Sequence, residues 1–309
     1  MEKTPLIVVS GPTASGKTAL SIELAKEIKA EIVSADSMQI YKYMDIGTAK
    51  PDEKEKEGII HHMMDFVDPK TPYSVADYVT KAHAVMEDIK NRGKNVIVTG
   101  GTGLYINSLV DDVDFCENDT DMSIREELFE IAENNGEDFL HQMLLKIDPD
   151  AAHNIHKNNV KRVVRAIEFY KKTGIKISEH QKETKKKESR YSPLMMAIRW
   201  DMPKLYERIE KRVDIMMENG LLKEVEALLE KGLTKDYISM KGIGYKELME
   251  YLIGECSLEE AVDNIKIGTR HYAKRQMTWF RRDERIHWID YNEDIVKKAK
   301  ELIDIYYTG

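Results

Sequence analysis

The segment Gly11-Pro12-Thr13-Ala14-Ser15-Gly16-Lys17-Thr18 follows the apolar run Leu6-Ile7-Val8-Val9 and leads into Ala19-Leu20-Ser21-Ile22-Glu23-Leu24. It fits the phosphate-loop pattern G-x-x-x-x-G-K-[ST], and a strand before it with a helix after it is the context that pattern requires. Gly11 and Gly16 permit a tight backbone wrap that aims N–H groups at phosphate oxygens. The following helix adds the positive end of its dipole. Lys17 supplies a mobile cation, and the Thr18 hydroxyl is a ligand for Mg²⁺. The loop does not specify which phosphate compound it holds.

The first hundred residues alternate strand and helix signals. Leu6–Ser10 reads as a buried strand, followed by the loop and an amphipathic helix to about Lys29. Glu31-Ile32-Val33-Ser34 is a second strand, ending at Ala35-Asp36-Ser37. A helical pattern covers about 75–92, and Asn95-Val96-Ile97-Val98-Thr99 is a third strand that stops at Gly100-Gly101-Thr102-Gly103. Such alternation predicts an α/β fold with a mainly parallel sheet flanked by helices. Ligands in such sheets bind beyond the carboxyl ends of the strands. Lys17, Thr18, Asp36, Ser37, Thr102 and Gly103 are therefore expected at one crevice.

After about Cys116 the pattern becomes helical, polar and basic, which predicts a helical insertion over 118–193 in a core made of 1–117 and 194–309. Met195–Trp200 reads as a returning strand. Pro203 opens a long amphipathic helix with Leu205, Ile209, Val213 and Met216 inward, and Gly232 lies just past its expected end.

The net charge of −8 argues against a nucleic-acid partner until its distribution is considered. Residues 157–190 hold twelve Lys/Arg against four Asp/Glu, and 270–285 hold six against two with aromatics interleaved. Each run alone could be a solvated helix face, but two of them in an acidic protein suggest an RNA partner. No stretch approaches the roughly 18 consecutive apolar residues of a membrane span. Two distant cysteines, Cys116 and Cys256, make neither a disulfide framework nor a metal pair. With no basic-then-apolar leader, a cytoplasmic protein is expected.

ATP hydrolysis would ask for an apolar strand ending in Asp beside the loop. The third strand ends in glycines and threonine instead. The nearest strand-end acid is Asp36, either an outer metal group or a general base on an incoming nucleophile. A small-molecule kinase and an RNA-binding module with a vestigial phosphate loop both stay open on these residues.

Five segments in order carry a resemblance: GPTASGKT, SADSMQIYKYMDIGTAKP, VTGGTGLY, YISMKGIGYKEL and YAKRQMTWFRR, with HHMMDFVDP and RAIEFYKKTG in agreement. Together they resemble the tRNA dimethylallyltransferase (isopentenyltransferase) family over nearly the whole chain, from Gly11 to Arg282. The resemblance implies a P-loop-type core with a helical tRNA-binding insertion. The activity it implies is transfer of a dimethylallyl group from dimethylallyl diphosphate to N6 of adenosine 37 in the tRNA anticodon loop. Mg²⁺ at Thr18 is the implied cofactor and a monomer the expected state.

By this resemblance Gly11, Pro12, Thr13, Ala14, Ser15, Gly16, Lys17 and Thr18 hold the diphosphate. Arg212 or Arg208, four apart on one helix face, assists, with Arg212 favoured. Asp36 is the general base, helped by Thr102, Ser37, Met38 and Gln39. The tRNA contacts fall on Arg125, Lys161, Arg162 and Arg165 in the insertion, and on Lys241, Gly242, Lys274, Arg275, Gln276 and Arg281. Trp279 reads as packing rather than as a stacking surface. The family often has Gln at the position of Lys161 and Gln-Ala at Lys241-Gly242, which bears on individual base contacts more than on the chemistry. The two cysteines match no zinc-finger extension of the eukaryotic kind, so the bacterial form is expected.

Overall fold

A computed structural model describes residues 3–113, 115, 123–186 and 188–308. Six parallel strands form one sheet in the order β3-β2-β4-β1-β5-β6. They are β1 (Thr4–Ser10), β2 (Ala30–Ser34), β3 (His61–His62), β4 (Asn95–Gly100), β5 (Tyr191–Arg199) and β6 (Ile286–Asp290). Leu6, Ile7, Val8 and Val9 of β1 are all buried, as a central parallel strand covered on both faces requires. On one face α1 (Lys17–Ile28) and the C-terminal helix bring Leu20, Leu24 and Ile303 against Ile7, Val9, Ile32, Ile97 and Met196.

The helices between are α2 (Glu53–Lys56), α3 (Val75–Asn91) and α4 (Gly103–Val110), then α5 (Ser123–Asn135), α6 (Glu137–Ile147), α7 (Pro149–Asn154), α8 (Val160–Thr173) and α9 (Ile177–Lys186). After β5 come α10 (Met202–Glu218), α11 (Leu221–Glu230), α12 (Tyr245–Leu252), α13 (Leu258–Phe280) and, after β6, α14 (Ile295–Thr308).

The chain divides into two compact units, one of residues 1–110 with 190–309 and the other of 111–189. The sequence predicts an insertion at 118–193, but β5 starts at Tyr191, where Thr4 pairs with Tyr191 in register. The expected strand at Met195–Trp200 is therefore the second half of a longer one. Helices α5 to α9 form the second unit around their own core, with Leu128, Leu140, Leu144, Val163, Val164 and Ile167 buried together. The long helix expected from Pro203 to Gly232 is two helices. Gly220 takes φ 98°, a conformation that ends α10 and starts α11.

Candidate active site

Strands β2, β4 and β1 are adjacent, so their carboxyl ends lie side by side: Val9 pairs with Thr99, and Thr99 with Ser34. The segments leaving these three strands must then share one crevice. The chain leaving β2 passes directly over the end of β4. Ala35 N donates to Thr99 O at 2.7 Å, and Thr102 N donates back to Ala35 O at 3.1 Å. A Cβ on Gly100 would sit 2.2 Å from the Ala35 carbonyl oxygen, so this crossing explains the glycine.

The phosphate loop leaves β1 with Gly11 at φ 143° and Gly16 at φ 92°. It is held from outside by its carbonyls. Arg208 Nε donates to Ala14 O at 2.8 Å, and Trp200 Nε1 donates to Ser15 O at 2.9 Å. The Arg208 guanidinium lies 4.5 Å from the Trp200 ring centroid. Two loop N–H groups are engaged within the protein, Ser15 N with Pro12 O at 3.3 Å and Thr13 N with Gln276 Oε1, and clamping by the carbonyls leaves the others to face an anion. The Ser15 hydroxyl is buried with no hydrogen-bond partner among the described atoms.

A cavity of about 360 Å³ lies against this loop and is lined by Lys17, Thr18, Asp36, Ser37 and Arg212, among others. Arg212 thus faces the cavity, whereas Arg208 holds the loop. Both were expected at the diphosphate, and the structure separates their positions by one helical turn of α10. Lys17 is pushed down to about 8 by burial and by Arg212, with Asp36 acting the other way. Burial also lowers Arg212, opposed by Asp36 and Glu55. The cavity is therefore a place where two cations lack the counter-charge that an anionic ligand would bring.

Asp36 is oriented by its own turn: Oδ1 accepts from Met38 N at 2.9 Å and from Gln39 N at 3.4 Å. Thr102 Oγ1 accepts from Ser37 N at 3.0 Å and donates to Ser37 Oγ at 3.3 Å. Tyr272 of α13 lines the cavity, and burial raises its phenol, with Asp36 acting the same way and the neighbouring Thr102 opposing it. Tyr272 lies inside the aromatic-basic run at 270–285, but nothing in that run distinguishes it as a cavity residue.

Two residues expected to touch RNA line the cavity and are also tied internally. Gln276 is buried; its Oε1 accepts from Thr13 N at 2.9 Å and its Nε2 donates to Gly101 O at 2.8 Å, tying α13 to the phosphate loop. Gln39 Oε1 accepts from Ser34 Oγ at 3.0 Å, and its Nε2 donates to the carbonyls of Thr48 and Ala49, each at 3.2 Å. Met38, Lys241, Gly242 and Arg275 line the cavity. Lys274 and Arg281 are exposed on and just past α13. Trp279 is 42% exposed, not core, with its ring edge against Gly103. It lines an open surface hollow with His271, Lys274, Arg275, Thr278 and Arg282.

Within the insertion, Lys161, Arg162 and Arg165 are exposed on α8. Arg125 instead turns to Glu168, which is 2% exposed; Arg125 Nη2 lies 2.7 Å and Nε 3.1 Å from its Oε2. Lys172 at 3.4 Å and Arg165 at 3.7 Å surround the same carboxylate.

The histidine pair serves two purposes. His62 Nε2 meets Glu31 Oε2 at 2.7 Å, and Arg92 completes the pairing, holding Glu31 down at about 2. His61 Nδ1–H donates to Ile59 O at 2.9 Å, and its Nε2 is buried beside the cavity with no partner among the described residues. No group of three or more His, Cys, Asp or Glu among the described residues could hold a metal. Among those residues no helix is long and apolar enough to cross a membrane.

A family model described as IPP transferase matches residues 39–283. The tRNA dimethylallyltransferase of Acetivibrio thermocellus is 53% identical over 300 residues, covering 96% of each chain. That of Clostridioides difficile is 48% identical over 305 residues, covering 98% of this chain and 97% of the other. The crystal structure of the full-length tRNA isopentenylpyrophosphate transferase of Bacillus halodurans superposes with a TM-score of 0.74 at 40% identity, covering 99% and 96%. A eukaryotic dimethylallyltransferase acting on tRNA reaches a TM-score of 0.84 at 31% identity, covering 99% and 80%. The chain belongs to the tRNA dimethylallyltransferase family.

Proposed function

We propose that this enzyme transfers a dimethylallyl group from dimethylallyl diphosphate to N6 of adenosine 37, beside the anticodon of tRNA, and releases diphosphate. The observation that carries the reading is the meeting of a phosphate loop, Arg212 and one carboxylate, Asp36, at a single cavity. As the bond from N6 to the allylic carbon forms, the carbon–oxygen bond to diphosphate breaks, and negative charge builds on the leaving oxygens. Loop N–H groups, Lys17 and Arg212 stabilise that charge in place. The adenine amine is a weak nucleophile because its lone pair is delocalised into the ring. Asp36 accepts its proton as the new bond forms.

The donor set around Thr18, one hydroxyl without a carboxylate cluster, suits a Mg²⁺ held chiefly by substrate oxygens and water. When bound, that ion neutralises part of the diphosphate charge. The acceptor base must leave its stack to enter such a cavity, as single-stranded loop bases readily do. Exposed Lys161, Arg162 and Arg165, with Lys274, Arg275 and Arg281, serve as phosphate contacts that make tRNA binding salt-dependent.

The test combines purified protein, unmodified tRNA, Mg²⁺ and labelled dimethylallyl diphosphate. Label reaching the tRNA base is the expected result. Movement of the γ-phosphate of ATP to a metabolite would point to a kinase, and tight tRNA binding without transfer would leave an RNA-binding module.

A further inference from the structure

The chain between the Asp36 turn and α2 returns past the cavity, and Gly47, Thr48 and Ala49 form part of its wall. This stretch has almost no regular structure to hold it, yet it is tied by one distant carboxylate. Glu224 of α11 accepts from three successive backbone N–H groups: Oε2 from Asp45 at 2.8 Å and Ile46 at 2.7 Å, and Oε1 from Gly47 at 3.0 Å. The hydroxyl of Tyr245, at the start of α12, donates to Oε1 at 2.7 Å. Tyr245 is 1% exposed and its ring lies flush against Gly47. A Cβ there would come within 2.6 Å of Tyr245 Cζ. The far side of the same stretch is held by Gln39 through the Thr48 and Ala49 carbonyls.

The lining of the cavity changes character along its length. Near the phosphate loop it is cationic, with Ile209 packed among Ala14, Leu205 and Ala273. Away from the loop, Val213, Met216, Leu221, Ile243 and Ile265 line it, and these belong to the apolar cluster that contains Tyr245. A donor with its diphosphate at the cationic end would place its hydrocarbon among them, against the wall that Glu224 secures.

We infer that Glu224 and Tyr245 are positioning residues that fix the Gly47–Ala49 wall and thereby restrict the allylic donor to a short hydrocarbon chain. The inference rests on the proposed transfer reaction, in which both residues act through the wall and touch neither reacting atom. Loss of the carboxylate removes the shared acceptor of three wall N–H groups at once, and donor selection is expected to change by at least about tenfold.

The experiment measures kcat and KM on tRNA with dimethylallyl diphosphate and with the ten-carbon geranyl diphosphate, for wild type, Glu224→Ala, Glu224→Gln, Gly47→Ala and Tyr245→Phe. The expected result for the two alanine variants is a geranyl-to-dimethylallyl ratio of kcat/KM raised about tenfold or more. KM for dimethylallyl diphosphate rises with it, while kcat and KM for tRNA stay near wild type. Tyr245→Phe and Glu224→Gln, which preserve volume, shift the ratio the same way by less, so the inference stays testable if Glu224→Ala fails to fold. An unchanged ratio in the folded variants, or equal losses with both donors and lower kcat, would overturn the inference while the transfer reaction stands. A wild type that transfers neither donor overturns the proposed reaction and the inference with it.

Discussion

The strand-end crevice and the helical insertion both gather cations, and they dispose of the charge in opposite ways. At the crevice Lys17 and Arg212 face a cavity with Asp36 opposite, and burial lowers both cations. In the insertion Arg125 of α5 and Lys172 of α8 are engaged by the buried Glu168, with Arg165 more exposed at 3.7 Å, so part of that unit's basic character is consumed within the fold. A cation is available to a ligand when no carboxylate of the fold has claimed it, and the placement of a few acids decides this. The basic run at 157–190 and the phosphate loop look equally inviting in sequence, yet only some of the run's cations are free for RNA.

The largest effect that would break the comparison concerns Asp36. Replacing it with alanine removes the proposed proton acceptor and leaves the insertion untouched. General-base contributions of about 10²–10⁴ in rate set the expected fall in kcat. Affinity for tRNA is expected to stay within about tenfold, or about 1.4 kcal/mol. Single-turnover transfer and filter binding on the same preparation check both parts. Turnover close to wild type would remove Asp36 from its role, and a parallel collapse of tRNA affinity would merge the two regions functionally.

A smaller effect sharpens the division within the insertion. Exposed Lys161 and Arg162, changed together to alanine, should weaken tRNA binding and flatten its salt dependence by about 0.7 in log–log slope per lost contact. KM for the donor should not move. Arg125→Ala should leave the salt slope unaltered, because its guanidinium is engaged with Glu168. It should instead lower the thermal stability of the insertion by removing one partner of a buried carboxylate. If Arg125→Ala flattens the slope as much as the double variant does, the distinction between consumed and available cations fails.

The strand ends were legible because each is written locally. An apolar run followed by Gly11, by Asp36 or by the glycines at 100 and 101 marks where a strand stops and what it delivers. The break at Gly220 was also written, as Asn219-Gly220, but the continuing apolar period of Leu221 and Leu222 outweighed a turn signal of two residues. What could not be read was the internal use of polar side chains. Gln276 bonds a backbone N–H 263 residues away, and Glu224 reaches one 178 residues away. No period or spacing encodes such partners. Gln39 and Gln276 therefore read only as ligand contacts, although their amides also bond the protein's own carbonyl, hydroxyl and N–H groups beside the cavity. The paired use of Arg208 outside the loop and Arg212 inside it has the same cause, since a helix face alone does not say which turn meets the cavity.

The gentlest difference between the regions is one of protonation. Lys17 is held at about 8 in the free crevice, with burial the first cause, Arg212 the second and Asp36 opposing. A diphosphate beside it favours the ammonium, so its pKa is higher in the bound state than in the free one. Below about pH 8 the lysine is already charged and donor binding is independent of pH through this group. Above that value binding must take up a proton, and the dissociation constant should rise by up to about tenfold per pH unit until the bound-state pKa is reached. Calorimetry of dimethylallyl diphosphate binding at about pH 9, in two buffers of different ionisation enthalpy, reads the proton directly. Arg212→Ala removes one of the two lowering causes, so in that variant the onset should move to higher pH even though affinity falls. A dissociation constant flat across this range in the wild type, with no proton taken up, would show that Lys17 is fully charged before the donor arrives. The crevice would then resemble the insertion, its cation already satisfied by the fold.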